Sequence, residues 1–240
     1  LSTETLRHRL HHRQAGESRA RHPIDCCEAV QVRFGQAHEA RQELRVGPDR
    51  FGVLDRISTS HHAAYNVFEA SKRAGVKRVI FASSNHAEGG YYLDAPWKHI
   101  NDGNFHLLEQ DNYELVSEKH MIRPDSYYGV AKAYGEALGS YYNDFHQLSS
   151  FHLRIGWVIE GDDPTFSAFA LSLWLSHRDT AQIVDLCISA PESHRYDIFN
   201  ATSDNTWKIF DIEHAREALG YKPEDRAGSD FTPREYVRTD

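Results

Sequence analysis

Tyr128 and Lys132 lie four residues apart in the run YGVAK at residues 128–132. If this run begins a helix, both side chains lie on the same face, about one turn apart. A phenol has an unperturbed pKa of about 10, and a nearby ammonium group favours its ionised form. Such a tyrosine accepts a proton from an alcohol while a hydride leaves the same carbon. The chain has twelve tyrosines, so a tyrosine and a lysine at this spacing could arise by chance. The surrounding sequence must show whether this pair belongs to an active site.

Predicted strands and helices surround this pair. The run KRVIFASS at residues 77–84 has the short apolar pattern of a buried strand, as do residues 150–158 and 196–200. Apolar residues at helical spacing lie between residues 63 and 74, and Asp125 and Ser126 supply capping groups for the helix of Tyr128. Residues 212–219 predict a further short helix. This alternation predicts an α/β class, a Rossmann-like doubly wound parallel sheet.

Polar residues follow the first of these strands directly. Ligands of open α/β sheets bind beyond the carboxyl ends of the strands, so Ser83, Ser84, Asn85 and His86 lie where chemistry is expected. A polar turn that caps the strand explains the same residues equally well. A long insertion follows at residues 89–124, and its length is typical of a lid or an excursion over a site.

The composition argues against several classes of protein. The 240-residue chain has a net charge of −8, whereas nucleic-acid binding requires clustered positive charge. No apolar run reaches the length of a membrane span, and residues 1–20 lack the apolar centre of a secretory signal. Cys26, Cys27 and Cys187 have neither metal-ligand nor disulfide spacing. We therefore expect no nucleic-acid or membrane partner, no metal site and a cytoplasmic setting.

Residues 1–60 differ from the rest of the chain. They contain no lysine, and arginine and histidine are scattered through them without a clear period. A solvated basic arm explains this composition, and a metal or anion site is the less favoured interpretation because ligand spacing is missing. We expect an atypical, poorly ordered segment over residues 1–60. Residues 61–240 are expected to form the catalytic domain, with a small C-terminal substrate region.

Six runs occur in the order found in one enzyme family, and they are YNVFEA (65–70), KRVIFASSNH (77–86), YGVAK (128–132), LRIG (153–156), WLSHRD (174–179) and LGYKPED (219–225). With them the chain resembles the extended short-chain dehydrogenase/reductase superfamily, also called the NAD-dependent epimerase/dehydratase family. Within it, SSNH and WLSHRD are most similar to uronate dehydrogenases and NAD-dependent glucose-6-phosphate dehydrogenases. The resemblance implies oxidation of a sugar or sugar acid at the anomeric carbon to a lactone. It also implies NAD or NADP as cofactor and a homodimer as a possible assembly.

The resemblance also implies roles for single residues. Tyr128 is the base, Lys132 lowers its pKa and binds the nicotinamide ribose, and Ser84 holds the reacting oxygen. The implied substrate contacts are Ser83, Asn85 and His86, and the implied cofactor contacts are Lys132, Arg154, Ile155 and Gly156.

The chain differs from the family in the motif that binds the cofactor's phosphates. The family's glycine-rich turn, G-x-x-G-x-x-G, receives the pyrophosphate, and before residue 51 glycine occurs only at Gly16, Gly35 and Gly47. We therefore expect a degenerate or incomplete first βαβ unit. Three interpretations stay open: a sugar oxidoreductase, an incomplete or inactive family member, and a nucleotide-sugar epimerase or dehydratase. The last ranks third because the chain after residue 166 leaves little room for a nucleotide-sugar lobe.

Overall fold

The computed structural model describes residues 50–236, with the backbone alone for residues 50–59. In chain order its helices and strands are α1 (Arg50–Ala74), β1 (Arg78–Ser84), α2 (Trp97–Asn101), α3 (Tyr127–His146), β2 (Ser149–Ile155), α4 (Ala168–Leu173), α5 (His177–Ser189), β3 (Tyr196–Ala201) and α6 (Glu213–Leu219). Residues 1–49 of the expected N-terminal segment lie outside this range. The expected boundary at residue 60 falls within α1, so the division into two segments stays a prediction.

The three strands form one parallel sheet in the order β1, β2, β3. Ser84 of β1 lies opposite Ile155 of β2, which in turn lies opposite Ala201 of β3. The strands therefore end at one edge of the sheet, where ligands of open α/β sheets bind. All three predicted strands are confirmed, although β2 ends three residues earlier than predicted, just before Gly156.

Helices cover both faces of this sheet. Alternate strand residues point to opposite faces, so Phe81 packs with Phe68 of α1 and Tyr142 of α3. On the other face, Phe151 packs with Ile183 of α5 and with residues of α6. A parallel sheet buried on both faces confirms the predicted Rossmann-like α/β class. Within residues 50–236, no helix combines the length and apolar composition required to cross a bilayer.

The insertion that follows β1 is packed against the C-terminal region. Tyr92, Trp97 and Ile100 form a buried cluster with Trp207 and Phe210, which follow β3. The two regions also share backbone hydrogen bonds, since the amide of residue 116 donates to the carbonyl of residue 209 at 2.9 Å. The length of this insertion predicts a lid or an excursion over a site. In the structure, a buried aromatic cluster holds the insertion against the C-terminal region.

Glycines allow α3 to lie close to the sheet. A Cβ atom placed on Gly135 would lie 2.2 Å from the Phe81 ring, and one on Gly139 would lie 2.2 Å from His152 Nε2. Neither ring has space to retreat, because Phe81 and His152 contact each other and Phe68 in the core. This close approach sets the distance between the residues of α3 and the end of β1.

A buried ion network connects α3, β2 and the segment after β1. The Arg154 guanidinium donates to both carboxylate oxygens of Glu136, at 3.0 and 2.8 Å, and its Nη1 lies 2.7 Å from Glu88 Oε1. Neither Glu88 oxygen has hydrogen-bond geometry with a partner among the described residues, so this contact is an ion pair only. Burial raises the pKa of Glu88 to about 7, and the attraction of Arg154 opposes this rise.

We expect Gly135→Val to lower the free energy of unfolding by about 1–3 kcal/mol, because the new side chain must displace the Phe81 ring. Ala137→Val is the matched control, since it introduces the same side chain at an exposed position of α3. Urea unfolding followed by circular dichroism measures both variants. Equal losses in the two would contradict the close contact between α3 and β1.

The raised pKa of Glu88 predicts a pH-dependent stability. In the unfolded chain Glu88 ionises near its ordinary pKa of 4.5, whereas in the folded chain it ionises near 7. The folded state therefore holds this proton more tightly, and ionising Glu88 costs it up to about 3 kcal/mol as pH rises through this window. Glu88→Gln should thus gain stability relative to wild type between about pH 5 and pH 8. Unfolding curves whose difference does not change with pH would contradict this assignment.

Candidate active site

The end of β1 and the first turns of α3 bring Ser84, Tyr128 and Lys132 together. Ser126 begins the helix, since its hydroxyl accepts a hydrogen bond from the Gly129 N–H at 3.1 Å. Lys132 Nζ lies 5.1 Å from the centre of the Tyr128 ring. Ser84, the last residue of β1, has its hydroxyl near enough to the Tyr128 phenol to act on the pKa of that phenol. The residues expected to be catalytic therefore meet at the carboxyl edge of the sheet.

Burial is the largest influence on the protonation of Tyr128 and Lys132. It raises the pKa of Tyr128 above its ordinary value, and the Ser84 hydroxyl opposes this rise. It lowers the pKa of Lys132 to about 8, and the Glu136 carboxylate opposes this fall. The family resemblance implies that Lys132 lowers the pKa of Tyr128. In the structure the pKa of Tyr128 is raised instead, because burial disfavours the charged phenolate, so the neutral phenol predominates near pH 7.

Ser83 and Asn85 flank Ser84, and their side chains have internal partners. The Ser83 hydroxyl donates to Glu136 at 2.5 Å, and the Asn85 amide donates to the Tyr92 hydroxyl at 2.6 Å. The Asn85 side-chain oxygen accepts from the Ser84 hydroxyl at 3.2 Å. Both residues are at most 4% exposed. They lie behind Ser84 and support it, whereas the sequence analysis expects them to contact substrate.

His86 belongs to the same cluster and is held by a residue that the sequence analysis assigns to another role. Its Nδ1 lies 2.8 and 2.9 Å from the two carboxylate oxygens of Asp125. Its ring meets the Tyr128 ring edge-on, with centres 5.5 Å apart. Of the two predicted capping residues of α3, Ser126 is the cap, and Asp125 holds the imidazole. The nearness of Asp125 to Tyr128 in sequence was the available signal for this role.

The end of β2 lies beside Ser84. Ile155 is opposite Ser84 in the sheet, and the Gly156 N–H donates to the Ala201 carbonyl at 2.9 Å. A Cβ atom on Gly156 would lie 2.1 Å from the Leu173 carbonyl oxygen, so only glycine fits there. Arg154, by contrast, is 3% exposed, and its guanidinium is engaged in the buried ion network. Ile155 and Gly156 therefore have their backbone at the edge of the sheet, whereas the Arg154 side chain is buried in the protein.

These groups fit the sugar end of a dinucleotide. The hydroxyls of Ser84 and Tyr128 and the ammonium of Lys132 are the kinds of group that bind ribose and alcohol oxygens. Residues 50–236 contain no glycine-rich strand, turn and helix that would receive a pyrophosphate, and residues 1–49 lie outside the described part of the chain. The described residues therefore provide candidate contacts for the nicotinamide ribose and the substrate.

Comparison with known proteins gives several matches. Residues 54–159 match the NAD dependent epimerase/dehydratase family. The NAD-dependent glucose-6-phosphate dehydrogenase of Haloferax volcanii is 35% identical over 166 residues, which are 69% of this chain and 60% of that enzyme. The L-arabinose 1-dehydrogenase (NAD(P)(+)) of the same organism is 30% identical over 203 residues, covering 81% of this chain and 77% of that enzyme.

Solved structures agree with these matches. The crystal structure of uronate dehydrogenase from Agrobacterium tumefaciens is 30% identical, with a TM-score of 0.55 over 68% of this chain and 53% of that one. A mutant of that enzyme was crystallised in complex with NAD. This chain thus spans 60% of the glucose-6-phosphate dehydrogenase and about half of the uronate dehydrogenase. With its parallel sheet and the Ser84, Tyr128 and Lys132 cluster at the sheet edge, the chain belongs to the NAD-dependent epimerase/dehydratase family.

Proposed function

We propose that this chain is an NAD(P)-dependent oxidoreductase that oxidises a sugar or sugar acid at its anomeric carbon to a lactone. The supporting observation is the meeting of Ser84, Tyr128 and Lys132 at the carboxyl edge of the sheet. The relatives described above are named as dehydrogenases of glucose 6-phosphate, L-arabinose and uronates, which supports the same substrate class.

Tyr128 is the base of the proposed reaction. Ser84 hydrogen-bonds the anomeric hydroxyl and holds it beside the phenolic oxygen, which takes the hydroxyl proton. As that proton leaves, the anomeric C–H bond breaks, its electron pair departs with the hydrogen as hydride, and the C–O bond becomes the lactone carbonyl. NAD or NADP supplies the hydride acceptor when bound. Lys132 would hold its nicotinamide ribose, and the backbone of Ile155 and Gly156 would contact its nicotinamide end.

Tyr128 and Lys132 titrate as one unit in this proposal. Two ionisable groups in contact lose their protons in steps that belong to the pair. The first proton leaves near pH 8, since the pKa of Lys132 is lowered to about 8 and that of Tyr128 is raised. The remaining proton resides on nitrogen or on oxygen, and the reactive form carries it on Lys132. The rate is therefore expected to rise as pH approaches about 8.

His86 orients the sugar, and two buried residues support Ser84. The His86 imidazole, held by Asp125, contacts a ring hydroxyl and sets the orientation of the sugar at Tyr128. Asn85 and Ser83 act from behind Ser84 and keep its hydroxyl in place.

The missing glycine-rich turn supports a second candidate. A family member without a working phosphate cradle would hold a sugar at Ser84 and Tyr128 and reduce no cofactor. This inactive or incomplete form and the active enzyme differ in one observable, the appearance of NADH or NADPH.

Incubation of the purified chain with NAD or NADP and a uronate, glucose 6-phosphate or L-arabinose should give reduced cofactor, measured by absorbance. Tyr128→Phe removes the base and should lower kcat by at least about 10²-fold. Tyr127→Phe is the control, because that neighbouring ring is 64% exposed. Equal rates for wild type and Tyr128→Phe would contradict the role of Tyr128. No reduction in any combination would favour the inactive form.

We also propose that the chain forms a homodimer through the outer surface of α1 and α3. These two helices pack together, and their exposed aromatic side chains include Tyr65, Tyr141 and Phe145. Phe145 is 72% exposed and stacks on Tyr141, with ring centres 5.1 Å apart. Burying such side chains against a second copy would remove them from water.

Phe145→Glu should shift the assembly towards monomer, because it places a charge in the proposed interface. Ile188→Glu is the control, since it makes the same kind of change at an exposed apolar residue of α5. Sedimentation velocity measures the mass of the wild-type protein and of each variant. A dimer that persists in Phe145→Glu, or a wild-type monomer, would contradict this assembly.

A further inference from the structure

Glu136 follows Tyr128 and Lys132 on the same face of α3. The three residues are spaced four apart, so their side chains lie one above the other along the helix. Lys132 and Glu136 are 4% and 1% exposed, respectively. A carboxylate therefore lies one turn beyond the lysine, on the side away from Tyr128.

The Glu136 carboxylate is held by partners other than Lys132. Oε1 accepts hydrogen bonds from the Ser83 hydroxyl at 2.5 Å and from Arg154 Nε at 3.0 Å, and Oε2 accepts from Arg154 Nη2 at 2.8 Å. Two of these are charge-assisted and bidentate, a geometry that fixes the carboxylate plane. Its position is thus set by β1 and β2, independently of the lysine.

Two basic and two acidic side chains lie near one another in this part of the protein. Lys132 and Arg154 are cations, and Glu136 and Glu88 are their carboxylate neighbours, with Glu88 on another nitrogen of Arg154. Burial of an ammonium favours loss of its proton unless an opposite charge lies close by. Glu136 is the carboxylate that opposes this loss at Lys132. Tyr128 also faces the lysine, and its phenol is neutral near pH 7.

We propose that Glu136 is a positioning residue for the Tyr128 and Lys132 pair: held by Ser83 and Arg154 one helical turn beyond Lys132, it keeps the buried Lys132 charged beside the Tyr128 ring. The proposal rests on the proposed function for its effect on turnover, because only a charged Lys132 stabilises the phenolate. The alternative role for Glu136 is to neutralise Arg154 and hold β2 to α3, with no effect on Lys132.

The titration of Lys132 separates these roles without requiring turnover. The full chain is labelled with ¹³C at the lysine Cε atoms, and its Lys132 signal is assigned by its loss in Lys132→Arg. In wild type the signal should titrate near pH 8. In Glu136→Gln the midpoint should fall by about one pH unit or more, because an opposite charge beside a buried group shifts its titration by that amount.

Asp144→Asn is the matched control, since it removes one carboxylate from an exposed position of the same helix. Its midpoint should equal that of wild type. If Glu136→Gln does not fold, as judged by circular dichroism, Glu136→Gln with Arg154→Met replaces it. Exchanging both partners of a buried ion pair for neutral side chains is often tolerated, and the midpoint should again fall.

A Lys132 midpoint unchanged from wild type in the folded variant would overturn the proposal. A shifted midpoint in a chain that reduces no cofactor would sustain the positioning role of Glu136 and reject the proposed function. An unchanged Lys132 midpoint together with normal turnover would reject the positioning role of Glu136 and sustain the proposed function.

Discussion

The contact between the end of β1 and one face of α3 is the constraint on which the candidate site depends. The pairs that make it are Ala82 with Lys132, Ser83 with Glu136, and Ser84 with Tyr128. It requires α3 to lie close to the sheet, which the buried glycines on that face allow. It also requires the helix to begin at a defined residue, which the Ser126 cap ensures. Backbone geometry therefore brings a phenol, an ammonium group and a hydroxyl close to one another.

The same closeness creates an electrostatic conflict. Packing α3 against the sheet removes water from Tyr128 and Lys132, and loss of water favours the neutral form of both. A phenolate with a charged lysine is the useful form, so the fold needs a fixed negative charge near the lysine. Glu136 supplies it, and Arg154 with Glu88 completes a buried network of alternating charges. The network explains why an arginine on a central strand points into the protein, away from the edge where a cofactor would lie.

The sequence predicts the local parts of this arrangement well. Helical spacing predicts that Tyr128 and Lys132 share a face, and the short apolar run predicts a strand that ends at Ser84. Partners distant in sequence could not be predicted, because they depend on how strands and helices meet. Asp125 contacts a histidine 39 residues earlier, and Ser83 contacts a glutamate 53 residues later. Spacing along the chain does not show which distant residues meet, so the carboxylate partners of Arg154 and the contact of Asp125 with His86 could not be predicted.

The proposed reaction requires a dinucleotide at this site, although the sequence lacks the glycine-rich turn that usually receives its phosphates. Calorimetric titration of NAD and NADP into the full chain, with Lys132→Met as the comparison, measures this binding. At least one of the two dinucleotides should bind saturably, with a Kd on the order of micromolar. Binding to Lys132→Met should be weaker, because the ribose contact is lost. No measurable binding of either dinucleotide to the folded chain, or equal binding to both proteins, would show that this site does not hold a dinucleotide as proposed.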